Sequence, residues 1–153
     1  MAGADGYASG VPWTVPVRWV DRYIGIPFVD GGRTIKGLDC WGLFRLVYSE
    51  QLGIELPSYG EISAMDLLTV ARAINGGQED WFVPPDPQEF DAVALRLYSH
   101  GWIAHVGVLT DPKHVLHIEH NTDSVVVPIN HHTVKHRIAG FRRHREAEKC
   151  KSA

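Results

Sequence analysis

Cysteine is scarce in this 153-residue chain: only Cys40 and Cys150 occur, the second in a polar C-terminal stretch. Two thiols so placed exclude the dense disulfide framework of a small secreted scaffold. Long apolar runs are missing too, and none approaches the roughly 20 residues that a bilayer-spanning helix needs. Charge of one sign is not in excess, since 15 basic against 18 acidic residues leave a formal net charge of −3. No bulk field therefore draws the chain to nucleic acid or to an anionic membrane. The opening residues, Met1 to Gly10, carry neither the basic nor the apolar region of a secretory signal. The chain therefore reads as made and folded in the cytoplasm. Internal repeats and low-complexity segments are lacking as well. What remains is an ordinary globular composition, 44% hydrophobic and 22% charged, long enough for one domain with a substantial core.

Residues 1–16 read as a flexible lead-in, 17–142 as the folded domain and 143–153 as a charged tail with a frayed end. Trp19, Val20, Tyr23 and Ile24 fit one face of a short helix ended by Gly25 and Pro27. Trp41, Phe44, Val47 and Tyr48 then recur at helical spacing from Cys40 to about Gln51, with Gly53 as the stop. Ser63 caps a further helix through Met65, Leu68 and Ile74. The stretch Pro84-Pro85-Asp86-Pro87 separates this helical half from a second half rich in β-branched residues. There the pattern predicts strands at Ala92 to Leu97, Ile103 to Leu109, Val115 to Glu119, Val125 to Ile129 and Ile138 to Phe141. Helices followed by a run of strands predict an α+β fold, with helices on one side of an antiparallel sheet.

The chemistry concentrates on three residues. Cys40 opens a helix, where unpaired N–H groups and the positive dipole end lower a thiol pKa and can hold an oxyanion. Taken alone it reads first as a small buried hydrophobe, the commoner fate of a lone cysteine. His105 and His117 add weight, because they fall on one face of adjacent apolar strands. A hairpin turning symmetrically about Asp111 makes paired residue numbers sum to 222 and sets the two histidines directly opposite each other. A base and the group that fixes its tautomer account for such a pair. His114, His117 and His120 imitate a zinc-binding repeat, but strand geometry points residues three apart to opposite faces, so no metal or other cofactor is assigned. His131, His132, His136 and His144 read as surface residues, and His100 as a weaker base than His105. Trp41, Phe44 and Tyr48 read mainly as core.

Five pieces in order resemble the NlpC-type cysteine peptidases, papain-like enzymes that cut bacterial cell-wall peptides. They are Phe28-Val-Asp-Gly-Gly32, Gly37-Leu-Asp-Cys-Trp-Gly-Leu43, Asp91-Ala-Val93, His105-Val-Gly-Val108 and Val115-Leu-His117, joined by the Gly-Ile-Glu-Leu-Pro57 segment. The resemblance implies a papain-like fold with N-terminal helices on a central antiparallel sheet of about five strands. It implies Cys40 as nucleophile, His105 as general base and then acid, and His117 as the orienting group. Asp39, Trp41, Phe28 and Tyr23 would line the substrate. The chain departs from the common pattern at Phe28, where tyrosine is frequent, at Trp41, where serine is frequent, and at Phe90, where glycine is frequent. The wording around Cys40, with Leu56-Pro-Ser-Tyr59, looks most like the phage tail-assembly branch. The expected function is hydrolysis of the γ-D-glutamyl–diamino acid bond of peptidoglycan stem peptides by a virion-associated tail-tip component. Other tail-tip proteins would be its partners, with no nucleic acid and no membrane span. Two other readings are a structural tail-assembly protein of the same fold and an acyltransferase.

Overall fold

The computed structural model describes residues 18–58, 80–98 and 101–152. The lead-in, the helix expected after Ser63 and His100 lie outside them. The chain enters through a 3-10 helix at Trp19–Tyr23, whose apolar face buries Val20 and Tyr23. A two-stranded ribbon follows, β1 (Arg33–Thr34) against β2 (Gly37–Leu38). It leads directly into the α-helix Cys40–Val47, which widens into a π-helical turn over Tyr48–Leu52 and stops at Gly53. Along this helix Trp41, Leu43, Phe44, Val47 and Tyr48 are all buried. That broad apolar face is why so short a helix is stable here, since isolated helices of this length are not.

Six strands form the main sheet: β3 (Trp81–Phe82), β4 (Ala92–Arg96), β5 (Ile103–Asp111), β6 (His114–His117), β7 (Val125–Pro128) and β8 (Ile138–His144). Their spatial order is β3-β8-β4-β5-β6-β7, and every neighbouring pair is antiparallel. Period-two alternation sorts the side chains. Ala92, Ala94, Val106, Val108, Leu116 and Ile118 meet the Cys40 helix in the principal core. Val93, Leu95, Leu109 and Val115 form a second cluster, which Val134 completes. The α+β class and the antiparallel sheet agree with expectation.

Three details differ from the sequence-based expectation. The sheet has a sixth strand, β3, too short at two residues to show any periodicity. Its partner is the end of β8, beyond Phe141, where the charged residues had suggested a frayed tail. Instead Arg143 is buried and its guanidinium donates through Nε and Nη2 to the two oxygens of buried Asp91, at 2.7 and 2.9 Å. An ion pair satisfied on both sides lets a charged residue continue a strand into the core. His144, expected at the surface, is 6% exposed and sits edge-on against Trp81. A helix at Arg145–Ser152 follows, burying Ala147 in the principal core. The third difference is register. In the body of the β5–β6 hairpin Val108 faces Leu116 and Leu109 faces Val115, so paired numbers sum to 224 rather than 222, and an irregularity lies between Leu109 and Asp111. The body of the hairpin is centred one residue later than Asp111, which shifts the pairing sum by two and preserves the faces.

Candidate active site

Antiparallel connectivity delivers several chain segments to one end of the sheet. The residues after β4 (Leu97, Tyr98), the start of β5 (Ala104, His105), the residues after β6 (Ile118, Glu119, His120) and the residue before β8 (Arg137) meet there. Together with Phe28 and Cys40 they line a cleft of about 240 Å³. Cys40 is the first residue of its helix, so the thiol and the helix start face this cleft.

The loop before the helix explains how that thiol is held. Asp39 is the N-cap, and its Oδ1 accepts from the Gly42 N–H at 2.7 Å and from Arg33 Nη1 at 2.7 Å. Its Oδ2 accepts from the Gly31 N–H at 2.9 Å. One carboxylate thereby ties the β1–β2 ribbon, the preceding loop and the first helical turn together. Asp39 is fully buried, and this corrects its expected place at the substrate: it supports the Cys40 turn from behind. Gly42 is required by packing, because a Cβ there would lie 2.1 Å from the Gly32 carbonyl oxygen.

Helix position does not by itself activate the thiol. Burial pushes the Cys40 pKa up to about 12, and the Asp39 carboxylate adds to the rise. The Val106 and Trp41 N–H groups oppose this and are outweighed. In the resting site Cys40 is a neutral thiol, contrary to the lowered pKa expected from the helix start, and it needs a base.

His105 and His117 supply the pair. The shifted register puts His117 diagonal to His105, and the two rings meet with Nε2 of His105 2.9 Å from Nδ1 of His117. One proton occupies that contact, which leaves Nδ1 of His105 as the nitrogen available to the thiol. Both rings are buried. Burial, reinforced by the charge of His117, drives His105 down to about 3, so it rests as a neutral base. Burial also lowers the pKa of His117. Gly107 makes the diagonal contact possible, for a Cβ there would stand 2.5 Å from Val115 Cγ2 and 3.2 Å from the His117 Cβ.

The remaining expected substrate residues divide. Phe28 lines the cleft, with its ring edge-on to His120 at 5.2 Å. Trp41 points away from the cleft into the core, stacking on Phe44, and its indole N–H donates to the Pro57 carbonyl. Tyr23 is fully buried, and its hydroxyl is bound to Glu50 and Gln51, so it supplies no phenol to the cleft. Its spacing already marked it as a core face residue of the first helix. Tyr98 does bring a phenol to the wall and is 67% exposed.

Sequence reasoning passed over Glu119 and Arg137. Arg137 donates through Nη1 and Nη2 to the two oxygens of Glu119, at 3.0 and 2.8 Å. Glu119 Oε1 lies 3.8 Å from Nδ1 of His117. The strand pattern set Glu119 on the His117 face, but nothing local links it to Arg137, 18 residues later. Donor atoms of His105, His117 and Glu119 all fall within 4.8 Å of one another, a spacing that would suit a metal ion. Here a shared proton joins the two rings and the Arg137 fork occupies both carboxylate oxygens, so hydrogen bonding accounts for the cluster.

Residues 25–143 match the profile of the NlpC/P60 family. A γ-DL-glutamyl hydrolase of Bacillus subtilis is 42% identical over 59 residues, which are 38% of this chain and 14% of that protein. The chain therefore spans a small part of this curated relative. Among solved structures, an NlpC/P60 family protein of Bacillus cereus aligns with a TM-score of 0.59 at 20% identity, over 79% of this chain and 36% of the other. The NlpC/P60 domain of the peptidoglycan hydrolase SagA aligns at 0.53 and 18% identity, over 80% and 90%. A lipoprotein-like NlpC/P60 protein of Staphylococcus aureus gives 0.57 and 20%, over 85% and 44%. At these identities the structures establish a common fold, and the profile, running from the loop before Cys40 to the buried Arg143, places this chain in the NlpC/P60 family.

Proposed function

We propose that this protein is a cysteine peptidase that hydrolyses the γ-D-glutamyl–diamino acid bond of peptidoglycan stem peptides. The observation that carries this reading is the meeting of Cys40 with His105 in one cleft, His105 being joined to His117 at 2.9 Å. The Cys40 thiol passes its proton to Nδ1 of His105 as sulfur attacks the γ-carbonyl, which gives a tetrahedral oxyanion. The backbone N–H of Cys40, in the first helical turn, stabilises that oxyanion. His105 then returns the proton to the leaving amine, and a thioester remains. Water, deprotonated by His105, attacks the thioester and restores the thiol. The Bacillus subtilis relative, a γ-DL-glutamyl hydrolase, supports a γ-glutamyl linkage, and SagA, a peptidoglycan hydrolase, supports a peptidoglycan substrate.

The setting belongs to the same proposal. The Gly37-Leu-Asp-Cys-Trp-Gly-Leu43 wording supports a phage or phage-like tail-tip component that meets the cell wall from outside, alongside other tail proteins. The test compares wild type with Cys40→Ala on purified peptidoglycan, with the released muropeptides read by mass spectrometry. New fragments ending in γ-D-glutamate are expected from the wild type alone. An untouched substrate with the wild type would sink the hydrolase reading and leave the structural tail protein. Equal cleavage by both proteins would sink the role of Cys40.

A further inference from the structure

The Glu119–Arg137 pair stands beside the histidines without a part in the steps above. Glu119 is one-third exposed at its side chain, Arg137 is 15% exposed, and both face the cleft. Arg137 is itself fixed from two further sides, since its Nε donates to the Arg96 carbonyl at 2.9 Å and its Nη1 to the Thr133 carbonyl at 3.2 Å. A guanidinium anchored on three segments holds the Glu119 carboxylate in one orientation. That carboxylate lies beside the His105–His117 contact: its Oε1 is 3.8 Å from Nδ1 of His117, and its ligand oxygen is within 4.8 Å of both ring nitrogens. We propose that Glu119, clamped by Arg137, is a positioning residue of the catalytic site that compensates the charge His105 acquires when it takes the thiol proton.

The argument is one of charge in a buried place. Transfer of a proton from Cys40 to His105 turns two neutral groups into a thiolate and an imidazolium, and burial opposes both. Glu119 is the carboxylate that raises the proton affinity of His105 and of His117. Arg137 and, next to His117, His131 act in the opposite direction. Cys40, Tyr98 and His120 complete the titratable groups on the same cleft. Burial alone would raise the pKa of Glu119, but the Arg137 fork and the neighbouring His105 outweigh it and hold the carboxyl at about 2. The carboxylate is therefore ionised and aligned before the proton moves, so little reorganisation is needed when it does. The proton keeps a simple path. It leaves sulfur for Nδ1 of His105, while the Nε2 proton stays in the bond to His117.

This inference rests on the proposed role of Cys40 and His105, and its test separates the two. Glu119→Gln keeps an oxygen for Arg137 and removes the charge, and Glu119→Asp keeps the charge. In the full-length protein, the rate of iodoacetamide alkylation at Cys40 is followed by mass spectrometry, with Cys150 as internal reference. Cys40 alkylation is expected to slow about tenfold or more in Glu119→Gln and to recover in part in Glu119→Asp. On peptidoglycan peptides, kcat falls on the order of 10- to 100-fold with KM little changed, the pattern of a group felt only in the transition state. Cys40 reacting as fast in Glu119→Gln as in the wild type would overturn the inference, even if turnover falls through a loss of stability. If the wild type cleaves no peptide at all, the hydrolase reading fails, and the alkylation rates still decide the role of Glu119.

Discussion

Phe90 shows how one residue can hold a conformation that its chemistry disfavours. Its φ of 72° lies in the left-handed region, where glycine is at ease and a side chain costs about 1–3 kcal/mol. The resemblance at the sequence level had glycine at this place, and the backbone gives the reason. Two contacts retain the phenylalanine: its ring stacks on Trp19 with centroids 4.7 Å apart, and its carbonyl accepts from the Tyr48 hydroxyl. The ring contact belongs to the side chain, whereas the carbonyl contact survives any substitution. Phe90→Ala should therefore lose the ring while keeping the strain, at a cost of about 2–4 kcal/mol. Phe90→Gly loses the same ring but relaxes the backbone, and should be more stable than Phe90→Ala by about 1 kcal/mol. Urea unfolding of the three proteins orders them. Alanine more stable than glycine at this position would mean that the φ value carries no strain. Residues 90 and 91 also bear on the site, because Asp91 immediately precedes β4 and binds Arg143, and the residues after β4 line the cleft.

At the scale of elements, much of the plan was legible. The alternation of β-branched residues located five strands to within a few residues, and Gly53 marked the end of the first long helical stretch. The failures have physical causes. Strand β3 is two residues long and gains its place only by pairing with β8. The end of β8 looked like a solvated tail because the buried partner of Arg143, Asp91, lies 52 positions earlier. The hairpin register was missed by two because the turn lies later than a symmetric centre at Asp111 and a bulge adjoins it, and turn composition fixes neither. That error did not harm the site, since both histidines stayed on one face. What register decides is which small residue sits opposite His117, and it is Gly107. Gly107→Ala should force β5 and β6 apart against Val115, costing about 1–3 kcal/mol and lowering the melting temperature by roughly 3–10 °C. It should also lengthen the His105–His117 contact and reduce kcat well beyond the loss of folded protein. Gly140→Ala on β8 is the control, because a Cβ there meets only the far end of the long Arg142 side chain, at 3.1 Å. Equal effects of the two substitutions would show that the close approach at Gly107 has no bearing on the histidine pair.

For the whole molecule, burying a histidine pair makes stability depend on pH. The folded pKa of His105 is lowered to about 3 by burial and by His117, against an unfolded value of about 6.5. Between those values the unfolded chain binds a proton that the folded protein does not, so unfolding takes up a proton. Stability from this site is thus complete above about pH 6.5 and is lost as pH falls toward 3. His117 and His144, also shifted downward by burial, act in the same direction. Glu119, held at about 2 by the Arg137 fork and His105, stays ionised through the window from pH 7 to 5. Comparison of wild type with His105→Asn in that window isolates one ring. By pH 5 the wild type should lose about 2 kcal/mol more than His105→Asn, from the single proton that the unfolded chain gains. Parallel urea-unfolding curves at pH 7 and pH 5 for both proteins measure this. An unchanged difference between them would mean that His105 is already protonated in the folded state. It would then not be the neutral base that a neutral Cys40 thiol requires, and the proton path from sulfur to Nδ1 would fail with it.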